Sequence, residues 1–130
     1  MSIQRVSPAH EDYLEAIVEL YEEQEGASHD GVRPIDLAAK MEVSKGSVTT
    51  AIGVLRDAAL VEQPPYGNVT LTNKGREYGQ KVLKRHHALK GFLVDTLGVD
   101  QKTAESEACA MEHIISDSTM KKWLRYLENE

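Results

Sequence analysis

Two short helical patterns joined by a three-residue link, followed at once by a pair of β-prone runs, constrain this chain more than any other feature. The first pattern runs from Pro34 to Met41, with Ile35, Leu37, Ala38 and Met41 at its buried positions. Glu42-Val43-Ser44 then makes a tight connection. Ser44 stands as N-cap of a second helix reaching about Ala58, whose inner stripe is Val48, Ile52 and Leu55. Leu60 to Gln63 and Val69 to Thr72 flank Pro64-Pro65-Tyr66-Gly67-Asn68, a hairpin around a Gly-Asn turn that the prolines confine to an edge. Helix, tight turn, helix and hairpin in that order predict a winged helix-turn-helix.

That order carries a chemical expectation. A recognition helix places its N-terminal turn in the major groove, so its leading side chains must be small or able to hydrogen-bond. Ser44-Lys45-Gly46-Ser47-Val48-Thr49-Thr50 meets that need. The hydroxyls of Ser44, Ser47, Thr49 and Thr50 suit base edges or phosphates, and Lys45 and Arg56 suit the backbone. Tyr66 and Asn68, at the hairpin tip, would lie against the adjacent sugar-phosphate chain. Lys74 and Arg76 are positioned to add phosphate contacts at the start of the next helix.

Charge is distributed accordingly. The chain is net −6, the wrong sign for a nucleic-acid binder. Residues 33–90, however, carry ten basic and five acidic side chains, whereas residues 1–32 carry one basic and eight acidic. Residues 91–130 carry four basic and eight acidic. A basic middle lies between acidic ends, and bound cations would offset part of the excess.

The flanking elements read as helices. Ser7 and Pro8 open the first, with Leu14, Ile17, Val18 and Tyr21 on one face, and Gly26 with the polar stretch after it ends it. Thr72 or Asn73 caps a long helix to about Leu97, burying Val82, Leu83, Leu89, Phe92 and Leu93, and Gly98 stops it. Asp100 caps a fifth helix to about Ile115. Ser116 or Asp117 caps the last, with Met120, Trp123, Leu124 and Leu127 apolar. No run of about 18 apolar residues predicts a membrane span, and the first eight residues lack the apolar stretch of a signal peptide. Cys109, the single cysteine, leaves no internal disulfide and fits a reducing cytoplasm.

Three groups of donors lie outside the DNA-binding segment. Asp12 and Glu15 are three apart on the first helix, His86 and His87 lie midway along the long one, and Cys109, Glu112 and His113 stand at i, i+3 and i+4 on the fifth. A divalent ion takes four to six donors, and such groups can supply them. Taken singly, each also fits a solvated acid, a buried cysteine or a surface histidine.

Several segments resemble the diphtheria toxin repressor family of iron-dependent repressors and manganese transport regulators. Glu107-Ala108-Cys109-Ala110-Met111-Glu112-His113-Ile114-Ile115-Ser116-Asp117 is similar to the family's metal-binding helix. Glu11-Asp12-Tyr13-Leu14-Glu15 resembles the first helix of the manganese branch, and Arg85-His86 the family's basic-His segment. Val69 to Arg76 resembles the wing and the turn after it. The likeness runs from about Pro8 to Tyr126. It implies a mainly α fold, with a winged helix-turn-helix and small hairpin wing at 1–72 and a helical metal-binding and dimerisation region at 73–130. It also implies a cytoplasmic homodimeric repressor, not an enzyme or a membrane protein, that binds double-stranded operator DNA when loaded with Mn(II) or Fe(II). The ligand set it implies is Asp12, Glu15, His86, Cys109, Glu112 and His113.

Departures modify that implication. The iron branch has Met at the Asp12 position, and the manganese branch has Glu at the Cys109 position, so the donor set is a hybrid. Thiolate shifts preference from Mn(II) toward Fe(II), Zn(II) or Co(II). Lys90 and Glu105 stand where the iron branch has a ligand carboxylate and a histidine, which removes its second site in that form. Two competing readings of the residues remain: a winged-helix regulator of another ligand with no functional metal site, and an enzyme with Cys109 as nucleophile. Against the second, Cys109 lies within a regular helix with no Gly-rich oxyanion loop beside it.

Overall fold

Capping decides where the first helix starts. Ser7 Oγ accepts the His10 N–H at 3.3 Å, Pro8 opens the first turn, and α1 runs over Pro8–Glu23 with Leu14, Ile17 and Val18 fully buried. The computed structural model describes residues 6–23 and 31–128, so the expected terminator at Gly26 lies outside the described residues. Its chain contacts separate two units, one ending at Gln80 and the other beginning at Lys81.

In the first unit, α2 (Pro34–Met41) starts where Arg33 forks onto Asp36, Nε to Oδ2 at 2.8 Å and Nη2 to Oδ1 at 3.0 Å. Glu42, in the left-handed region at φ 56°, ends it by donating its N–H to the Ala38 and Ala39 carbonyls. Ser44 caps α3 (Lys45–Asp57) by accepting the Ser47 N–H at 3.1 Å, and Val48, Ile52 and Leu55 are buried as expected. Ile35 is not: it is 55% exposed. At about 100° per residue it lies about a third of a turn off the Leu37, Ala38 and Met41 stripe, and an eight-residue helix buries only one stripe.

The wing pairs β1 (Val61–Glu62) with β2 (Thr70–Leu71), antiparallel, with Val61 opposite Leu71 and Glu62 opposite Thr70. Val32 adds a bridge to Val69 through reciprocal hydrogen bonds of 2.7 and 2.8 Å. A one-residue bridge has no periodicity, so no sequence pattern announces it. The tip also differs from a Gly-Asn turn: Gly67 N–H donates to Pro64 O at 2.9 Å, and Tyr66 takes the positive φ.

Thr72 then begins α4 (Asn73–Gly91), accepting the Gly75 N–H at 3.0 Å while donating its hydroxyl to Ala59 O at 2.7 Å. Gly75 and Gly79, one turn apart, permit close approach. A Cβ at Gly75 would stand 1.8 Å from the Leu60 carbonyl oxygen, and one at Gly79 would stand 2.3 Å from Val18 Cγ2. Glycine inside a helix, as at Gly79, costs about 1 kcal/mol against alanine, a cost offset here by direct packing on α1. The Tyr78 hydroxyl completes the joint, donating to Glu11 Oε2 at 2.5 Å and accepting the Val6 N–H at 3.0 Å.

The second unit holds the rest of α4, then α5 (Gln101–Ile114) and α6 (Asp117–Glu128). The long helix is α only to Gly91. Phe92–Thr96 form a π turn, with Leu97 N–H reaching Phe92 O at 3.2 Å, and Gly98 at φ 73° ends it. Asp100 and Ser116 cap the next two helices on Thr103 and Thr119. The core is Leu89, Leu93, Ala104, Ala108 and Met120. Trp123 packs edge-on against Phe92 at 5.5 Å, and buried Arg85 pairs with Asp117 at the start of α6. The fold is thus mainly α, a winged helix-turn-helix followed by a helical region.

Candidate metal centre and nucleic-acid face

Helical spacing gathers the donors of the second unit. Cys109, Glu112 and His113 project from one face of α5, and a ligand atom of each lies within 4.8 Å of the others. His86, on α4 and only 5% exposed, has a ligand nitrogen equally near Glu112. His87, next to it, is exposed. The Glu112 carboxylate is the centre of this group: its side chain is 0% exposed, with Oε2 at 3.3 Å from His86 Nδ1 and Oε1 at 3.4 Å from His113 Nε2.

Burying a carboxylate is expensive unless positive charge or donors face it. These separations exceed the usual hydrogen-bond range, yet they match a coordination edge. Donors about 2.1 Å from one ion stand about 3.0 Å apart at right angles and about 3.4 Å apart at the tetrahedral angle. Thiolate, carboxylate and two imidazoles are also donors that first-row divalent ions accept. The residues present therefore fit a metal ion.

Glu105 lies two turns before Glu112 on α5. Its Oε1 is 2.9 Å from His86 Nε2 and its Oε2 is 2.9 Å from Lys90 Nζ. Burial works against its charge, but the hydrogen bonds from Lys90 and His86 prevail and hold its pKa below the usual glutamate value. The sequence had marked Lys90 and Glu105 only as departures. Their contact joins positions fifteen residues apart on two helices, which spacing within one helix does not reveal.

Asp12 and Glu15 belong to the first unit, on α1; Glu15 is buried and Asp12 half-buried. Glu11, between them and the start of the helix, is the acid committed to Tyr78.

On the DNA-binding side, Ser44, Lys45, Ser47, Thr49, Thr50 and Arg56 are all exposed along α3. The threonine hydroxyls donate back into the helix, Thr49 to Lys45 O and Thr50 to Gly46 O, both at 3.0 Å. Those protons are spent, so the threonines present lone pairs and methyl groups. Methyls suit thymine contacts. Tyr66 at the wing tip is fully exposed, and Asn68 is half-buried. Lys74 and Arg76 are engaged within the fold: Lys74 Nζ donates to Ala58 O at 3.2 Å, and the Arg76 guanidinium lies 5.2 Å over the Tyr21 ring. A hollow of about 520 Å³ beside the first turn of α3 is lined by Ser44, Gly46, Ser47 and Thr50 together with His10 and Tyr13 of α1. Those last two sit one turn apart on α1; Tyr13 lies within the Glu11–Glu15 segment, but neither residue was marked for the DNA face.

Known proteins give this arrangement a context. Residues 5–69 match the family described as iron dependent repressor, N-terminal DNA binding domain, and residues 72–129 match the iron dependent repressor, metal binding and dimerisation domain. An uncharacterized HTH-type transcriptional regulator of Methanocaldococcus jannaschii is 35% identical over 123 residues, 95% of each chain. The transcriptional regulator MntR of Escherichia coli is 34% identical over 110 residues, 85% of this chain and 67% of its own. The solved structure of a manganese-dependent transcriptional repressor in complex with manganese matches with a TM-score of 0.73 at 30% identity, over 91% of this chain. The match covers 52% of that longer chain, so this one spans about half its length. Among the described residues, no helix is long and apolar enough to cross a membrane.

Proposed function

The chain belongs to the iron-dependent repressor family and is a metal-dependent transcriptional regulator, and from that premise we propose that it represses by binding operator DNA as a homodimer when loaded with Mn(II) or Fe(II). The observation that carries the proposal is the buried Glu112 carboxylate, set between two imidazole nitrogens at coordination-edge distances with the Cys109 thiol beside it.

The proposed ligand set is Asp12, Glu15, His86, Cys109, Glu112 and His113, the α1 acids entering on the family resemblance. The ion supplies positive charge that offsets the carboxylates. The chain's residues supply selectivity: carboxylates and imidazoles accept Mn(II), and the Cys109 thiolate favours Fe(II). On the DNA, Lys45 and Arg56 take phosphates, Ser44 and Ser47 approach the groove from the first turn, Thr49 and Thr50 read bases, and Tyr66 and Asn68 brace the wing. Leu97, Ile114 and Tyr126, exposed within the dimerisation domain, support a homodimer. Residues 1–72 serve DNA binding and residues 73–130 metal binding and dimerisation, in the cytoplasm and with no catalytic step.

The test is an anaerobic titration of Mn(II), Fe(II) and Zn(II) while binding to the DNA upstream of the protein's own gene is measured. Affinity should rise at least tenfold with metal, about 1.4 kcal/mol, and return to the starting value with chelator. Equal affinity with and without chelator overturns the metal reading. Separately, neutralising Lys45 or Arg56 should lower the salt slope of DNA binding by about one each, with Thr49 and Thr50 changes altering sequence preference instead.

A further inference from the structure

Carboxylates of a single helix meet both ring nitrogens of His86. Glu105 and Glu112 are seven residues apart, about two turns, and so share a face of α5. The imidazole from α4 meets Glu105 Oε1 at Nε2 and Glu112 Oε2 at Nδ1. The two ends differ in kind. At Nε2 the separation is 2.9 Å, a full hydrogen bond, and the other Glu105 oxygen is held at 2.9 Å by Lys90 Nζ, one turn beyond His86 on α4. At Nδ1 it is 3.3 Å, facing a carboxylate with no exposed surface.

Both flanking carboxylates only accept, so distance settles the proton: Nε2 lies 2.9 Å from Glu105 and Nδ1 lies 3.3 Å from Glu112. The shorter contact, to Glu105, takes the ring proton on Nε2. A neutral imidazole has one such proton, and Nδ1 is then the nitrogen with a lone pair, beside Glu112. Histidines that ligate metals commonly give their other N–H to a carboxylate, which fixes both ring orientation and tautomer. A bare Glu105 would itself be a candidate ligand, but with one oxygen on His86 and the other on an ammonium it is withdrawn from that role.

Resting on the metal reading above, we propose that Lys90 and Glu105 are positioning residues for the metal centre. Lys90 anchors Glu105, Glu105 holds the Nε2 proton of His86, and Nδ1 is thereby presented, ready-oriented, as the donor. The ammonium of Lys90 also serves as a built-in cation at the solvent side of His86, directing an external ion to the Glu112 side.

The experiment uses the full chain without metal first. Long-range proton–nitrogen spectra, recorded at a pH where the ring carries a single proton, should show His86 with that proton on Nε2; in Glu105→Ala the ring should populate the other tautomer. Direct titration with Mn(II) and Co(II) should then show Glu105→Ala binding tenfold to a hundredfold more weakly, about the effect of removing a ligand's supporting carboxylate. Lys90→Met should fall in the same direction by less, and Lys90→Arg should restore affinity. Glu105 is half exposed on a helix, and alanine is helix-compatible there, so the variant should keep the wild-type circular dichroism. A wild type that binds neither metal overturns the metal reading and the clamp with it. A wild type that binds while Glu105→Ala binds equally tightly, or a wild-type His86 protonated on Nδ1, overturns the clamp alone.

Discussion

The two units bury polar groups for different ends. In residues 6–80, Glu11 meets the Tyr78 hydroxyl in a short hydrogen bond, and that oxygen in turn takes the Val6 N–H, which ties α1 to α4. In residues 81–128, Glu112 faces imidazole nitrogens on both sides at 3.3 and 3.4 Å, distances fit for sharing an ion. The first arrangement returns its desolvation cost as stability of the fold. On the proposed reading, a metal ion bound between these groups would offset the cost of the second. Buried acids therefore do not all mean the same thing, and their partners' distances tell them apart.

Backbone packing in the first unit offers the largest expected effect. Gly75→Ala forces a Cβ against the Leu60 carbonyl, which no side-chain rotation relieves. We expect a loss of about 3 kcal/mol in the urea midpoint analysis, the upper end for overpacking, despite alanine's better helix propensity. A neutral or stabilised variant would show that α4 sits further from the wing root than described.

Next comes the contrast between the two acids. Glu112→Ala should weaken Mn(II) binding by about a hundredfold, about 2.7 kcal/mol. It should cost the metal-free protein little stability, since the desolvation of the carboxylate is lost together with its imidazole contacts. Tyr78→Phe should do the reverse, costing about 2 kcal/mol of stability by stripping a donor from a buried carboxylate, with metal affinity little changed. If Glu112→Ala instead unfolds the metal-free chain, the division between structural and ligand-directed burial fails.

How much of this was legible beforehand follows from range. Ser44, Asp100 and Ser116 announce their helices because a cap acts within three residues, and the common face of Cys109, Glu112 and His113 follows from helical geometry. The helix-turn-helix and wing were readable for the same reason. What stayed hidden lies between elements. The Val32–Val69 bridge, the Glu11–Tyr78 bond and the Lys90–Glu105–His86 chain join residues far apart in sequence, and nothing within either segment names its partner in the other. Lys74 and Arg76 add contacts that charge alone does not announce: both are exposed, yet one also meets a carbonyl and the other a ring. Ile35 and the π turn after Gly91 show that periodicity alone does not fix a short helix's face or a long helix's last turn.

The smallest effect concerns acid, and it separates the units by where it is read. Asp100 caps α5 in the second unit, its carboxylate held by the Thr103 hydroxyl and by the Thr103 N–H at 3.0 Å, and these bonds lower its pKa from the usual value. A group whose pKa is depressed by folding stabilises the fold above its unfolded value of about 3.9, and that contribution fades as pH falls through the lower folded value. The window is therefore below about pH 4. Asparagine keeps the capping acceptor but cannot titrate, so Asp100→Asn should flatten the acid limb while changing stability little near neutrality. Trp123, the chain's one tryptophan, packs on Phe92 in the same unit, so its fluorescence follows that unit's unfolding. Urea midpoints read from Trp123 between about pH 3 and pH 6 should converge for wild type and variant at the acid end and differ by a small constant above it. Parallel curves across the whole range would mean that Thr103 bonds a carboxylate and a carboxamide equally well, and that the cap contributes geometry without charge.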